Sequence, residues 1–279
     1  MTDDAVDAHK MPLLDHLIEL RSRLLKSVIA LVLAFLVCFF FAEAIYGFLT
    51  EPLAEVLRDR RKDPRMIFTA LTEVFFTYVK VSFFAAAFVT CPVFLTQLWM
   101  FVAPGLYKKE QKALAPFLVA TPVLFFIGGS LVYYVIFPLA TRFLIGFEIF
   151  GEGDALDIVL EAKVSEYLSF IMTLIFAFGL CFQLPVVMTL LARVGLATSA
   201  GMAAKRKYAV VATFVVAAVL TPPDPVSQIS LAVPIILLYE ISIYMAKMVE
   251  RKRAREEAAE DYSDDDEADS GSDVTPPES

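Results

Sequence analysis

Asp15-His16-Leu17-Ile18-Glu19-Leu20-Arg21-Ser22-Arg23-Leu24 stands at the mouth of an apolar run that continues to Phe41, and its reading decides the fold. Leu13, Leu17, Leu20 and Leu24 recur at helical spacing on one face, while Asp15, Glu19, Ser22 and Lys26 recur on another. This is an amphipathic helix about to enter a bilayer. Asp15 and Glu19 face each other one turn apart, a mild repulsion that a bound cation would relieve; Glu19 and Arg23 stand in the favourable i,i+4 order. Read alone, the segment is a solvated, salt-bridged face.

Hydrophobic residues make up 58% of the chain, and several apolar runs approach or exceed the ~18–20 residues that cross a bilayer. The class is an all-α polytopic membrane protein. The acidic balance is local: residues 256–279 carry eleven Asp and Glu and no Lys or Arg, which leaves residues 1–255 at +3. The membrane body is mildly basic, as suits contact with anionic lipid. Cys38, Cys91 and Cys181 each sit inside an apolar run and form no disulfide or metal pattern. No signal-peptide pattern precedes the first run, which reads as a retained helix.

Six spans are expected in a domain covering 24–247, preceded by an amphipathic cytoplasmic segment, 1–23, and followed by a basic then acidic disordered tail, 248–279. The first span covers 24–41. Residues 43–73, with Pro52 and Pro64 as breakers, read as a structured loop with two short helices. The second span, 74–100, holds Lys80 near its start, placed to snorkel, and Pro92 as a kink. The third, 114–137, carries Gly128-Gly129 for close helix approach and exits at Pro138. The fourth, 167–191, is interrupted at Gln183-Leu184-Pro185. The last two, 208–220 and 229–245, are short for a ~30 Å core and are joined by Thr221-Pro222-Pro223-Asp224-Pro225; one re-entrant hairpin is the alternative. With the N-terminus, the 101–113 and 193–207 connectors and the tail on one side, that side holds 16 Lys and Arg against 8. The positive-inside rule then puts both termini in the cytoplasm.

No nucleotide loop, metal cluster or nucleophile–base set is present in the sequence, so neither an enzyme nor a cofactor is expected, and nothing points to nucleic acid. Glu240, an ionisable group inside a span, is expected to pair with Lys247 or reach water. Gln183 is expected to bond a neighbouring helix or a carbonyl freed by Pro185. Glu110 stands among Lys108, Lys109 and Lys112. Together with Glu19 it would make a two-carboxylate cluster that suits a pair of guanidinium groups, each carboxylate accepting an arginine bidentately.

Three stretches in order, His16-Leu17-Ile18-Glu19-Leu20-Arg21, Phe101-Val102-Ala103-Pro104-Gly105-Leu106-Tyr107-Lys108-Lys109-Glu110 and Leu220-Thr221-Pro222-Pro223-Asp224, resemble the successive signatures of the TatC family. That family is the multispanning core of the twin-arginine protein translocase. The resemblance runs from Leu13 to Lys247. It implies a glove-shaped six-helix receptor in the bacterial inner membrane that binds twin-arginine signal peptides of folded cargo. It also implies single-span TatA- and TatB-type partners, a homo-oligomer within a receptor complex, and drive by the proton-motive force.

Carried over by position, Glu19 and Glu110 match the signal-contacting acids, and Arg21, Phe101, Pro104, Leu106, Tyr107 and Lys108 match the motif around them. Pro52 and Asp224 match the two outer segments. Thr221 and Gln228 match positions that hold partner helices. One departure stands out: Gln183 occupies a place where many members carry a glutamate facing the concave side. An amide there keeps hydrogen-bonding reach and cannot titrate. An ion-coupled small-solute transporter is the rival reading, but few polar groups converge at mid-bilayer to support it. A purely structural scaffold is a third.

Overall fold

Proline placement governs how this chain builds its helices, because each proline removes one N–H from the ladder and leaves a carbonyl to be satisfied elsewhere. The computed structural model describes residues 3–60, 65–102, 115–148, 161–221 and 225–270. Among these the elements are α1 (Asp3–Phe40), α2 (Ala42–Arg60), α3 (Glu73–Val102), α4 (Ala115–Leu131), a π-helical turn (Val132–Ile136), α5 (Phe137–Ile145), α6 (Val164–Cys181), α7 (Leu184–Arg193), α8 (Ser199–Ala204), α9 (Arg206–Leu220) and α10 (Pro225–Ser270). The only strand-like pairing among them is one parallel bridge, Ile67 with Lys163, which ties the two long loops together.

Five segments are long and apolar enough to cross a membrane: Ile18–Phe40, Glu73–Leu98, Phe117–Ile145, Val164–Arg193 and Pro225–Arg255. The expected fifth span is α9, 15 residues long, or about 22 Å. It pairs with the first part of α10, and Arg206 at its start meets Glu240 at 2.7 Å. The facing arms of this hairpin are therefore short, as the sequence implies. The sixth helix is not short, however. It runs 46 residues, through Pro234 and on to Ser270, where disorder is expected from residue 248. Residues 248–260, rich in Ala, Glu, Lys and Arg, are strong helix formers that extend a helix already nucleated in the bundle.

Two further expectations are corrected. Residues 43–60 form one helix, α2, with Pro52 inside it rather than breaking it; Pro64 lies outside the described residues. Leu49, Leu53, Val56 and Leu57 fall on one face of α2 and are buried against Tyr133, Ile136, Phe137 and Tyr167. Pro52 cannot donate to the Phe48 carbonyl, and the Tyr133 hydroxyl does so instead at 2.6 Å. The two rings also stack, 4.4 Å apart. Pro138, expected as an exit, sits near the start of α5, which continues to Ile145. The chain accommodates it with the π turn just before, where the Phe137 N–H reaches back to the Val132 carbonyl.

The second core lies where α4 packs on α6. A Cβ on Gly128 would stand 2.8 Å from the Phe178 carbonyl oxygen, and one on Gly179 would stand 2.5 Å from the Phe125 ring. Glycine alone permits this approach. Phe88, Phe125 and Phe176 fill the remainder in edge and tilted contacts. Beyond Arg193, α10 is held to the connector by Glu250, which accepts from the Ser199 backbone N–H at 2.6 Å, and by Tyr239, which donates to the Met202 carbonyl.

Candidate functional site

Glu19 lies on α1 where the apolar span begins, half-buried, and its carboxylate is paired with Arg23 one turn on. Arg23 Nε donates to Glu19 Oε1 at 3.0 Å, and Nη2 donates to the same oxygen. The pairing is the one the i,i+4 order predicts. Arg21 is exposed and makes no hydrogen bond or ion pair with the described residues.

α1 packs along α3 in the opposite direction, and the Phe35 and Phe83 rings meet edge-on, 6.5 Å between centroids. Glu19 is 16 residues before Phe35, about 24 Å along its helix, and Phe101 is 18 residues after Phe83, about 27 Å. Glu19 and Phe101 therefore stand within a turn of the same level, at the end of the bundle opposite the two long loops. Phe101 is half-buried there. Pro104, Leu106, Tyr107, Lys108 and Glu110 lie outside the described residues, as does Asp224.

A groove of about 1080 Å³ lies between α1, α3 and α6 nearer the loops, its α1 and α3 walls beginning about 18 Å from Glu19 and about 21 Å from Phe101 along their helices. Its walls are Leu31 and Phe35 on α1, Phe83 and Phe84 on α3, and Phe176 and Leu180 on α6. Gln183, expected on the concave side, does not line it. The side chain is buried, and Nε2 donates to the Thr121 carbonyl at 3.0 Å and the Gly179 carbonyl at 3.4 Å. The amide thus ties α6 to α4 where Pro185 interrupts the helix.

The positions expected to hold partner helices are occupied within the hairpin. Thr221 is buried and donates to the Ala217 carbonyl; Gln228 donates to the Phe214 carbonyl at 3.2 Å. Glu240 pairs with Arg206 rather than Lys247, because α9 brings Arg206 alongside it. One residue that the sequence reading understated is Lys80. It lines the groove, and the signal for this was available in its spacing with Phe83, Phe84 and Ala87 on one face of α3.

Taken together, these elements define a multi-pass membrane protein with a long apolar groove and no machinery for covalent chemistry among the described residues. A family model described as "Sec-independent protein translocase protein (TatC)" matches residues 15–234. A protein named Sec-independent protein translocase protein TatC from Magnetococcus marinus is 52% identical over 254 residues, covering 90% of each chain. The like-named protein of Escherichia coli strain K12 is 40% identical over 247 residues, covering 88% of this chain and 92% of its own. A crystal structure titled as the twin arginine translocase receptor TatC superposes with a TM-score of 0.71 at 35% identity, covering 84% of this chain and 99% of that one. The chain belongs to the TatC family: it is a bacterial multi-pass membrane subunit of the twin-arginine translocase, not an enzyme.

Proposed function

We propose that this subunit is the signal receptor of its translocase, with both termini in the cytoplasm and the chain in the inner membrane. Two arginines of a signal peptide meet Glu19 and Glu110, whose carboxylates accept the planar guanidinium forks. The apolar part of the signal then lies along the groove, against Phe35, Phe83 and Leu180. It passes Leu180 rather than Gln183, which faces the other way. Single-span TatA- and TatB-type subunits supply the path for folded cargo, driven by the proton-motive force, within a receptor complex that contains several copies of this chain.

The observation that carries this reading is the shared level of Glu19 and Phe101 at one end of the bundle, with an apolar groove between the same two helices further toward the loops. Titration of the purified protein with a twin-arginine peptide and with its twin-lysine variant tests it. Lysine keeps the charge and loses the fork, so several-fold weaker binding is expected; equal affinity overturns the bidentate contact. Glu110→Lys is expected to abolish crosslinking of the arginine peptide, and undiminished crosslinking removes Glu110 from the site.

A further inference from the structure

The groove is apolar except at its loop end. Lys80 is the one charged residue among the described residues that line it, and Ser169 and Thr173 lie across from it on α6. Their level follows from one contact. The Glu73 carboxylate accepts from the Ser165 hydroxyl at 2.6 Å, which sets the register of α3 against α6 as both leave the loop end. Lys80 is seven residues below Glu73, about 10 Å. Ser169 and Thr173 are four and eight below Ser165, about 6 and 12 Å. A cation and two hydroxyls therefore share one level. Lys80 has no acid partner among the described residues, although ionisable groups within spans are almost always paired.

α3 has 30 residues, about 45 Å, against a hydrocarbon core of ~30 Å. With the excess shared between its ends, the Lys80 backbone sits just inside the core boundary, and its four-carbon stem brings the ammonium to headgroup depth. We propose that the loop end of the groove is a binding site for an anionic phospholipid. The phosphate meets Lys80, with the Ser169 hydroxyl as a further donor while Thr173 donates to the Ser169 carbonyl one turn back, and an acyl chain lies in the groove past Phe83 and Phe176. This lipid occupies the groove in the absence of cargo and comes from the leaflet at the loop end.

The test uses the full chain reconstituted with equimolar phosphatidylglycerol and phosphatidylethanolamine, then extracted and weighed with its retained lipid by native mass spectrometry. The wild type is expected to retain one phosphatidylglycerol in several-fold preference. Lys80→Gln loses that preference, Lys80→Arg keeps it, and Lys247→Gln, which removes a juxtamembrane charge elsewhere, leaves it unchanged. Equal retention of the two lipids, or a preference that survives Lys80→Gln or falls equally with Lys247→Gln, overturns the site. A photocrosslinker at Thr173 that captures only polypeptide in cargo-free membranes overturns it in favour of an acid-bearing helix. Twin-arginine peptide affinity, measured on the same variants in detergent, reads the Glu19 end separately, so loss of the lipid site and loss of the receptor reading give different results.

Discussion

Arg23 holds the Glu19 carboxylate through both Nε and Nη2, on a single oxygen. The acid proposed to receive a signal arginine is thus already engaged by a guanidinium of its own helix. The Arg23 side chain is 16% exposed and Glu19 34%, so the pair is partly shielded and an incoming guanidinium must compete with it. An i,i+4 ion pair is worth about 0.3–1 kcal/mol. Arg23→Gln is therefore expected to tighten twin-arginine peptide binding by about two- to fivefold, read by titration with labelled peptide. Weaker binding would mean that Arg23 orients Glu19 for the signal rather than competing with it.

Tyr133 supplies the Phe48 carbonyl with the donor that Pro52 lacks. Tyr133→Phe keeps the ring stack and leaves that carbonyl bare in the core, an expected loss of about 1–2 kcal/mol. In a Pro52→Ala background the helix supplies its own N–H, and the same Tyr133→Phe change is expected to lose much less. Thermal midpoints of the four proteins in detergent form the cycle. Equal losses in both backgrounds would show that the hydroxyl and the proline are unrelated.

Gln183 uses both amide hydrogens, one on Thr121 and one on Gly179. Gln183→Glu, the residue that the family resemblance leads one to expect, would place a carboxylate against two carbonyl oxygens with no hydrogen to offer. A loss of about 1–3 kcal/mol in stability is expected. Peptide affinity should hold, because Gln183 does not line the groove. The opposite pattern, intact stability with lost peptide binding, would put Gln183 back on the signal's track.

Much of the fold was legible because membrane burial leaves a strong trace. The long apolar runs, the interruption at Pro185 and the short α9 all appear where hydropathy and proline put them. Proline misled where tertiary partners absorb it. Pro52 reads as a breaker until Tyr133, 81 positions away, covers the carbonyl it frees, and Pro138 reads as an exit until a π turn takes up the strain. Local sequence carries no trace of such remote partners. The same holds for Glu240, whose nearest basic neighbour along its helix is Lys247 but whose partner, Arg206, comes from α9. At the candidate site, the Glu19–Arg23 pair was readable from spacing alone, whereas Lys80 needed the helix arrangement to show that its neighbours across the groove are hydroxyls and apolar rings.

Two glycines, one where α4 approaches α6 and one on α2, have opposite tolerances. At Gly128 a methyl would meet a backbone oxygen, the Phe178 carbonyl, at 2.8 Å, and a backbone atom cannot rotate away. Gly128→Ala is therefore expected to force the helices apart and lower stability by about 1–3 kcal/mol. Gly47, on the exposed side of α2, has nothing within 4 Å of a Cβ; there alanine only removes backbone freedom from the unfolded chain, and Gly47→Ala is expected to stabilise by about 0.5–1 kcal/mol. The thermal midpoints of the two variants in one detergent should move in opposite directions. A Gly128→Ala protein as stable as the parent would mean that α4 and α6 have room to spare, and the close packing that seats Gln183 between them would lose its basis.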